Sequence, residues 1–158
     1  MATVTVFNRA TMKALPAIPG TVVISICDPG CPLDPKGWDE VLTIECDDIE
    51  AREEILAIEI MATGGVLRKP VPFNEQHARN IMSLLERNPT ADVIVHCNAG
   101  VSRSVAVGRF ISEETGRKLL LKGKSLSDQT ANGHILRVLH RLVWYSHYEV
   151  EENDEAGD

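Results

Sequence analysis

Apolar residues along this chain follow two periods, one typical of strands and one typical of helices. Runs rich in β-branched residues predict four buried strands, at 4–7, 21–26, 41–44 and 93–96. Helical spacing predicts four helices, one short and ending at Leu15, the others at 75–87, 104–115 and 130–148. Strands that alternate with helices predict an α/β fold: a single domain with a central, mainly parallel sheet flanked by helices.

Local signals mark several boundaries of these elements. Asn74 precedes the second helix as a potential N-cap, and Gly116 follows the third as a potential C-cap. Asp47 with Glu50 three residues later resembles a capping box, which predicts a further helix over 47–62. The acidic segment 149–158 is expected to be a disordered tail behind a catalytic domain at 1–148.

Charge and hydropathy narrow the function classes. The chain has 158 residues and a net charge of −7, which disfavours general binding to nucleic acid or to anionic membranes. No apolar run approaches the ~20 residues of a membrane span, and the N-terminus lacks the basic region of a signal peptide. A cytoplasmic protein without a membrane partner is therefore expected.

The segment from His96 to Ser104 carries the clearest chemical signal. Cys97 ends a predicted strand and Arg103 begins a predicted helix, with a turn of small residues between them. The positive field of a helix N-terminus and of an arginine favours the thiolate, which is the reactive form of cysteine. Gly100 permits the tight turn, and Ser104 has a hydroxyl that can bond to the sulfur.

These residues together predict an anion cradle with a nucleophile at its base. Phosphate oxygens would meet backbone N–H groups and Arg103 over the residues Asn98, Ala99, Gly100, Val101, Ser102 and Arg103. Cys97 would attack phosphorus, and water would hydrolyse the resulting phosphocysteine. Because Arg103 and backbone dipoles supply the positive charge, no metal and no cofactor are expected.

The run His96-Cys97-x-x-Gly100-x-x-Arg103-Ser104 resembles the signature of the cysteine-dependent protein tyrosine phosphatases. The short chain is most similar to their dual-specificity branch. The resemblance implies a phosphatase-like fold with the active loop between a central strand and the next helix. It also implies a phosphorylated protein or peptide as substrate, with phosphotyrosine first and phosphoserine or phosphothreonine left open.

The resemblance further implies an aspartate that protonates the leaving oxygen from a loop after an earlier strand. The stretch from Leu42 to Asp48 resembles that strand and loop, and the second aspartate of such a pair, Asp48, usually has this role. Independently, the predicted N-cap position would occupy the carboxylate of Asp47. Asp47, Asp28 and Asp34 stay open as alternatives.

Three supporting residues are also implied by the resemblance. Asn132 is similar to an asparagine that braces the active loop, Gln129 to a residue that orients water, and His96 to a histidine that supports the loop. The segment 55–73 makes the distance between Asp48 and Cys97 longer than in compact relatives. It is either a lid or partner surface, on which Arg68 and Lys69 would meet an acidic substrate, or a solvated loop.

The remaining cysteines leave weaker alternatives. Cys27 and Cys31 have the spacing of half a metal site, without a second pair, so we expect no metal there. Cys46 is either a packed residue or a partner of Cys97 in a disulfide under oxidation. Alternative functions are a non-catalytic phosphate-binding module, a phosphatase for an RNA 5′ end or a phosphoinositide, a sulfur carrier and an arsenate reductase.

Overall fold

The computed structural model describes residues 1–50, 60–61, 67–122 and 131–156. The strands in these residues are β1 (Thr3–Asn8), β2 (Thr21–Cys27), β3 (Glu40–Glu45), β4 (Ile60–Met61), β5 (Leu67–Arg68), β6 (Asp92–Cys97) and β7 (Lys118–Leu121). The helices are α1 (Arg9–Ala14), α2 (Glu75–Arg87), α3 (Arg103–Thr115) and α4 (Gly133–Ala156).

Five strands form one sheet in the order β3-β2-β6-β1-β7, and every neighbouring pair is parallel. The predicted fold class, a single α/β domain with a parallel sheet flanked by helices, is therefore confirmed. β6 is the central strand, so the loop that follows it emerges in the middle of the carboxyl edge. Ligands of parallel α/β sheets bind at this edge. β4 and β5 form a separate antiparallel pair.

The larger core lies on one face of the sheet. There α2, α3 and α4 bury apolar residues, such as Ile81, Phe110 and Leu139, against the strands. The opposite face has a smaller cluster in which Met12 of α1 packs with Val23 and Ile94. In the part of the chain that is described, no helix has the length and apolarity needed to cross a membrane.

The predicted ends of α2 and α3 are confirmed by their caps. The Asn74 side chain accepts a hydrogen bond from the His77 backbone N–H at 3.0 Å, which satisfies a free donor of the first turn of α2. Gly116 ends α3 in the left-handed conformation, with a φ of +77°.

The prediction of a helix over 47–62 is wrong in the two parts of this range that the structure describes. Residues 46–50 are not helical, and Ile60–Met61 is a strand, while 51–59 and 62–66 lie outside the described residues. Asp47 does not cap a helix, because its carboxylate accepts a hydrogen bond from the backbone N–H of Val71 instead. A long-range contact thus replaces the local one that the sequence pattern indicated.

The observed elements differ from the predicted ones at two places in the second half of the chain. β7, in the stretch at 118–128 for which the pattern predicts no element, adds an edge strand to β1. α4 begins at Gly133 and continues to Ala156. Residues 149–156 are therefore helical, whereas their acidic composition predicted a disordered tail. Neither glycine nor proline occurs from His134 to Ala156 to interrupt the helix.

Candidate active site

The loop between β6 and α3 is shaped by its contact with β1. The backbone N–H of Arg9 donates to the Asn98 carbonyl at 3.1 Å. Gly100 has a φ of +70°, and a Cβ at this position would lie 2.9 Å from the Asn8 nitrogen and 3.0 Å from the Phe7 carbonyl oxygen. Only glycine has both the required conformation and the required size here. The loop thus packs directly against the end of β1.

Cys97 lies at the base of this loop, 2% exposed. The Gly100 backbone N–H donates to its sulfur at 3.3 Å. The Ser104 hydroxyl oxygen, in the first turn of α3, lies 3.0 Å from the same sulfur. A backbone donor, a hydroxyl that can donate and the N-terminus of a 13-residue helix therefore lie at the sulfur, an arrangement that stabilises negative charge on it.

Arg103 is buried beside Cys97, with a side chain 6% exposed. Its Nη1 donates to an Asp28 carboxylate oxygen at 2.9 Å and to the Cys46 carbonyl at 2.7 Å. Burial lowers the pKa of this guanidinium, but the Cys97 sulfur and the Asp28 carboxylate outweigh burial, so its pKa is raised overall. The charge of Arg103 is therefore permanent.

The Nε atom of Arg103 is buried and has no hydrogen-bond partner among the described residues. A buried N–H donor without an acceptor is costly, and native structures seldom retain one unless a bound group completes it. The natural partner for a guanidinium donor is an oxyanion, such as a phosphate oxygen. An oxyanion bound in the loop would therefore give this donor an acceptor.

Asp28, which the sequence left open as an alternative proton donor, is instead the ion-pair partner of Arg103. Its carboxylate bridges Arg103 and the side-chain amide of Asn98, which donates at 2.6 Å. Asp28 follows β2 directly, and β2 lies next to β6 in the parallel sheet. Its position at the end of a neighbouring strand is the signal that could have placed it at this site.

Asp48, the predicted proton donor, lies at the other side of the loop. Its Oδ1 accepts hydrogen bonds from the Ser102 hydroxyl at 2.8 Å and from the Asn132 amide at 2.7 Å. Asn132 is fully buried, and its backbone N–H donates to the Ser102 carbonyl at 3.1 Å. Asn132 thus joins the beginning of α4 to the loop and to Asp48.

The other predicted residues occupy different places. Asp47 is 7% exposed and contacts Val71. Asp34 forms an exposed ion pair with Lys36 at 2.8 Å. Gln129 lies outside the described residues.

His96 is fully buried and directly precedes Cys97 in sequence. Its Nε2 lies 2.6 Å from the hydroxyl oxygen of Ser25, which the sequence did not single out. Burial lowers the pKa of His96 to about 4, so the ring is neutral at pH 7. A neutral, enclosed imidazole holds β6 to β2 and is not placed to exchange protons with a substrate.

The remaining cysteines differ in burial. Burial raises the pKa of Cys46 to about 12, so this residue is a thiol at neutral pH. Cys27 is buried with its sulfur 3.4 Å from the Ser25 hydroxyl, whereas Cys31 is exposed. Among the described side chains, no cluster of histidine, cysteine and carboxylate residues has the geometry of a metal site.

Comparison of the chain with protein-family models, with curated proteins and with solved structures finds no match.

Proposed function

We propose that this protein is a phosphomonoester hydrolase that works through a phosphocysteine intermediate, as the cysteine-dependent protein tyrosine phosphatases do. The observation that carries the proposal is the pairing of Cys97 with the unpartnered Nε of Arg103. A phosphate monoester in the loop would give that donor its acceptor, and its phosphorus would lie above the sulfur.

The first half of the reaction follows from these positions. The Cys97 thiolate attacks phosphorus, an S–P bond forms and the P–O bond to the leaving group breaks. Charge on the equatorial oxygens is stabilised by Arg103 and by the backbone N–H groups of the loop. The electron pair of the broken bond goes to the leaving oxygen, which takes a proton from Asp48.

In the second half, water attacks the phosphocysteine and the S–P bond breaks. The electron pair returns to sulfur, and the contacts from Gly100 and Ser104 stabilise the thiolate as a leaving group. Inorganic phosphate is released, and the water proton goes to the Asp48 carboxylate. Both halves need only groups of this chain, so activity is expected to persist in the presence of a metal chelator.

The contacts favour Asp48 over the other aspartates as the acid. Asp47 is held by a backbone N–H of Val71, and Asp28 forms an ion pair with Arg103. Asp48 is exposed and bonded to Ser102 in the loop itself. It therefore adjoins the phosphate position while remaining open to a leaving group.

For the substrate, we propose phosphotyrosine in a protein or peptide, with phosphoserine and phosphothreonine as further substrates. The loop positions Asn98, Ala99, Val101 and Ser102 contain no lysine for additional phosphates of a phosphoinositide. A net charge of −7 disfavours an RNA substrate. A reducing compartment such as the cytoplasm would keep Cys97 a thiol.

The test is hydrolysis of 4-nitrophenyl phosphate by wild type, Cys97→Ser and Cys31→Ser. Loss of the nucleophile is expected to lower kcat by at least about a thousandfold, because a serine hydroxyl is a weak nucleophile without a general base. Cys31→Ser removes the exposed cysteine and should retain full activity. Hydrolysis by Cys97→Ser at the wild-type rate would exclude the proposed nucleophile.

A non-catalytic phosphate-binding module gives a different result. Wild type would then bind a phosphotyrosine peptide without hydrolysing it. Binding by Cys97→Ser together with hydrolysis by wild type is the outcome expected for the enzyme.

A further inference from the structure

Asp47 forms an unusual pair of contacts with one distant residue. Its backbone N–H donates to the Val71 carbonyl at 2.7 Å, and its carboxylate accepts from the Val71 backbone N–H at 2.7 Å. Asp47 thus satisfies both backbone groups of Val71, one through its main chain and one through its side chain. The two hydrogen bonds form a bridge like that between paired strands, except that the Asp47 carboxylate takes the place of a backbone carbonyl.

The partner of this bridge is fixed in the core. Pro70 is buried and Phe73 is 1% exposed, on either side of Val71. The carbonyl oxygen of Phe73 lies 2.8 Å from Nε2 of His134 in the first turn of α4. Asp47 is therefore tied to a segment that is itself held by α4 and by the core.

Asp48, as the proposed proton donor, needs a backbone that is held in place. Its Oδ1 bonds with Ser102 and Asn132 orient the carboxyl group. Those bonds restrain only the end of the side chain, whereas delivery of a proton to a leaving oxygen also requires the Asp48 backbone to stay in place. A backbone restraint that does not involve the Asp48 side chain persists through that step, and the bridge from Asp47 to Val71 is such a restraint.

We propose that Asp47 is a positioning residue that holds the Asp48 backbone in place for proton donation. The inference rests on the proposed function, in which Asp48 is the acid. Asp47 itself does not touch the substrate. Its effect depends on the leaving group only in the first half of the reaction, in which the leaving oxygen needs a proton and which kcat/KM reports.

The test compares two substrates with different leaving groups. 4-Nitrophenolate leaves without protonation, whereas the phenolate of phenyl phosphate leaves readily only with an acid. Asp47→Ala is expected to lower kcat/KM for phenyl phosphate about ten- to a hundredfold, the size of effect that a small misplacement of a catalytic group produces. Its kcat/KM for 4-nitrophenyl phosphate should fall by less than about threefold.

Two further variants identify the role of Asp47. Asp47→Asn retains an acceptor oxygen for Val71 and should recover most of the phenyl phosphate activity. Asp48→Asn cannot donate a proton at all and should show the largest loss for phenyl phosphate. If Asp47→Asn were as impaired as Asp47→Ala while Asp48→Asn stayed active, Asp47 would be the acid itself and the inference would be overturned.

A matched control removes the same type of bond at the other end of the sheet. The Asp92 carboxylate accepts from the Thr3 backbone N–H at 2.9 Å, far from the site. Asp92→Ala should therefore leave the ratio of phenyl phosphate to 4-nitrophenyl phosphate hydrolysis unchanged.

An equal loss for both substrates in Asp47→Ala would mean a general structural role for Asp47 and would overturn the inference. If Asp47→Ala does not fold, Asp47→Ser, whose shorter side chain also weakens the bridge to Val71, replaces it: a selective loss for phenyl phosphate supports the inference, and an unchanged ratio overturns it. A wild type inactive toward both substrates would instead overturn the proposed function, and the inference with it.

Discussion

At the scale of single residues, the site is defined by what each polar atom bonds to. The Cys97 sulfur has contacts from a backbone N–H and a hydroxyl, whereas the buried Nε of Arg103 has no partner in the described part of the chain. The sulfur is thus prepared to carry negative charge, and the guanidinium is prepared to receive another anion. Both features favour attack on a phosphate over a purely structural role for the cysteine.

Ser104→Ala tests the hydroxyl contact with the sulfur. The variant loses a hydrogen-bond partner of the sulfur, so negative charge on the sulfur should be less well stabilised. Alkylation of Cys97 by iodoacetate should slow about tenfold, as expected for the loss of a bond of this strength. The measurement uses a Cys31→Ser background so that the exposed thiol does not react. An unchanged rate would show that Ser104 does not stabilise the sulfur.

The sequence groups the residues of the loop with one another but not with their partners from elsewhere in the chain. Cys97, Arg103 and Ser104 lie within eight residues of one another, so local spacing alone groups them. Asp28 is 75 positions from Arg103, and its contact depends on the order of the strands. A single sequence contains no local signal for such a contact.

At the scale of elements, the same distinction holds for secondary structure. α2 and α3 were predicted because their caps and apolar spacing are local. The helix over 47–62 was predicted on an equally local pattern and was wrong, because Asp47 bonds to Val71 24 positions away. Where local helix propensity and tertiary contacts disagree, the tertiary contacts decide the structure.

Gly100→Ala tests the contact between two elements, the loop and β1. A Cβ in the left-handed conformation costs about 1 kcal/mol, and its clash with Asn8 and Phe7 should add about 1–3 kcal/mol of overpacking. Gly30→Ala is the matched control, since Gly30 has a φ of +82° but open space around it. Urea denaturation should show a clearly larger loss of stability for Gly100→Ala. Equal losses would mean that β1 does not support the loop closely.

At the scale of the whole molecule, the buried ring of His96 links stability to pH. Burial lowers its pKa from 6.5 to about 4, so in that window the unfolded chain binds a proton that the folded chain does not. The free energy of unfolding therefore decreases as pH falls from about 6.5 toward 4. From pH 7 to pH 5 this residue should account for a loss of about 2 kcal/mol.

Urea denaturation of wild type and His96→Asn at both pH values measures this contribution. The variant should lose less stability on acidification than wild type. His140→Asn, which changes an exposed histidine, should behave as wild type does. The same slope in all three proteins would exclude His96 as the source of the pH dependence.

The position of β1 in the sheet has a consequence for synthesis of the protein on the ribosome. Val4 pairs with Val93 on one side and with Leu119 on the other, so β1 gains its neighbours only after β6 and β7 have also been translated. Pairing across such long separations makes folding slow. Since Asn8 and Phe7 lie directly under Gly100, the loop after β6 reaches its final conformation only once β6 has paired with β1.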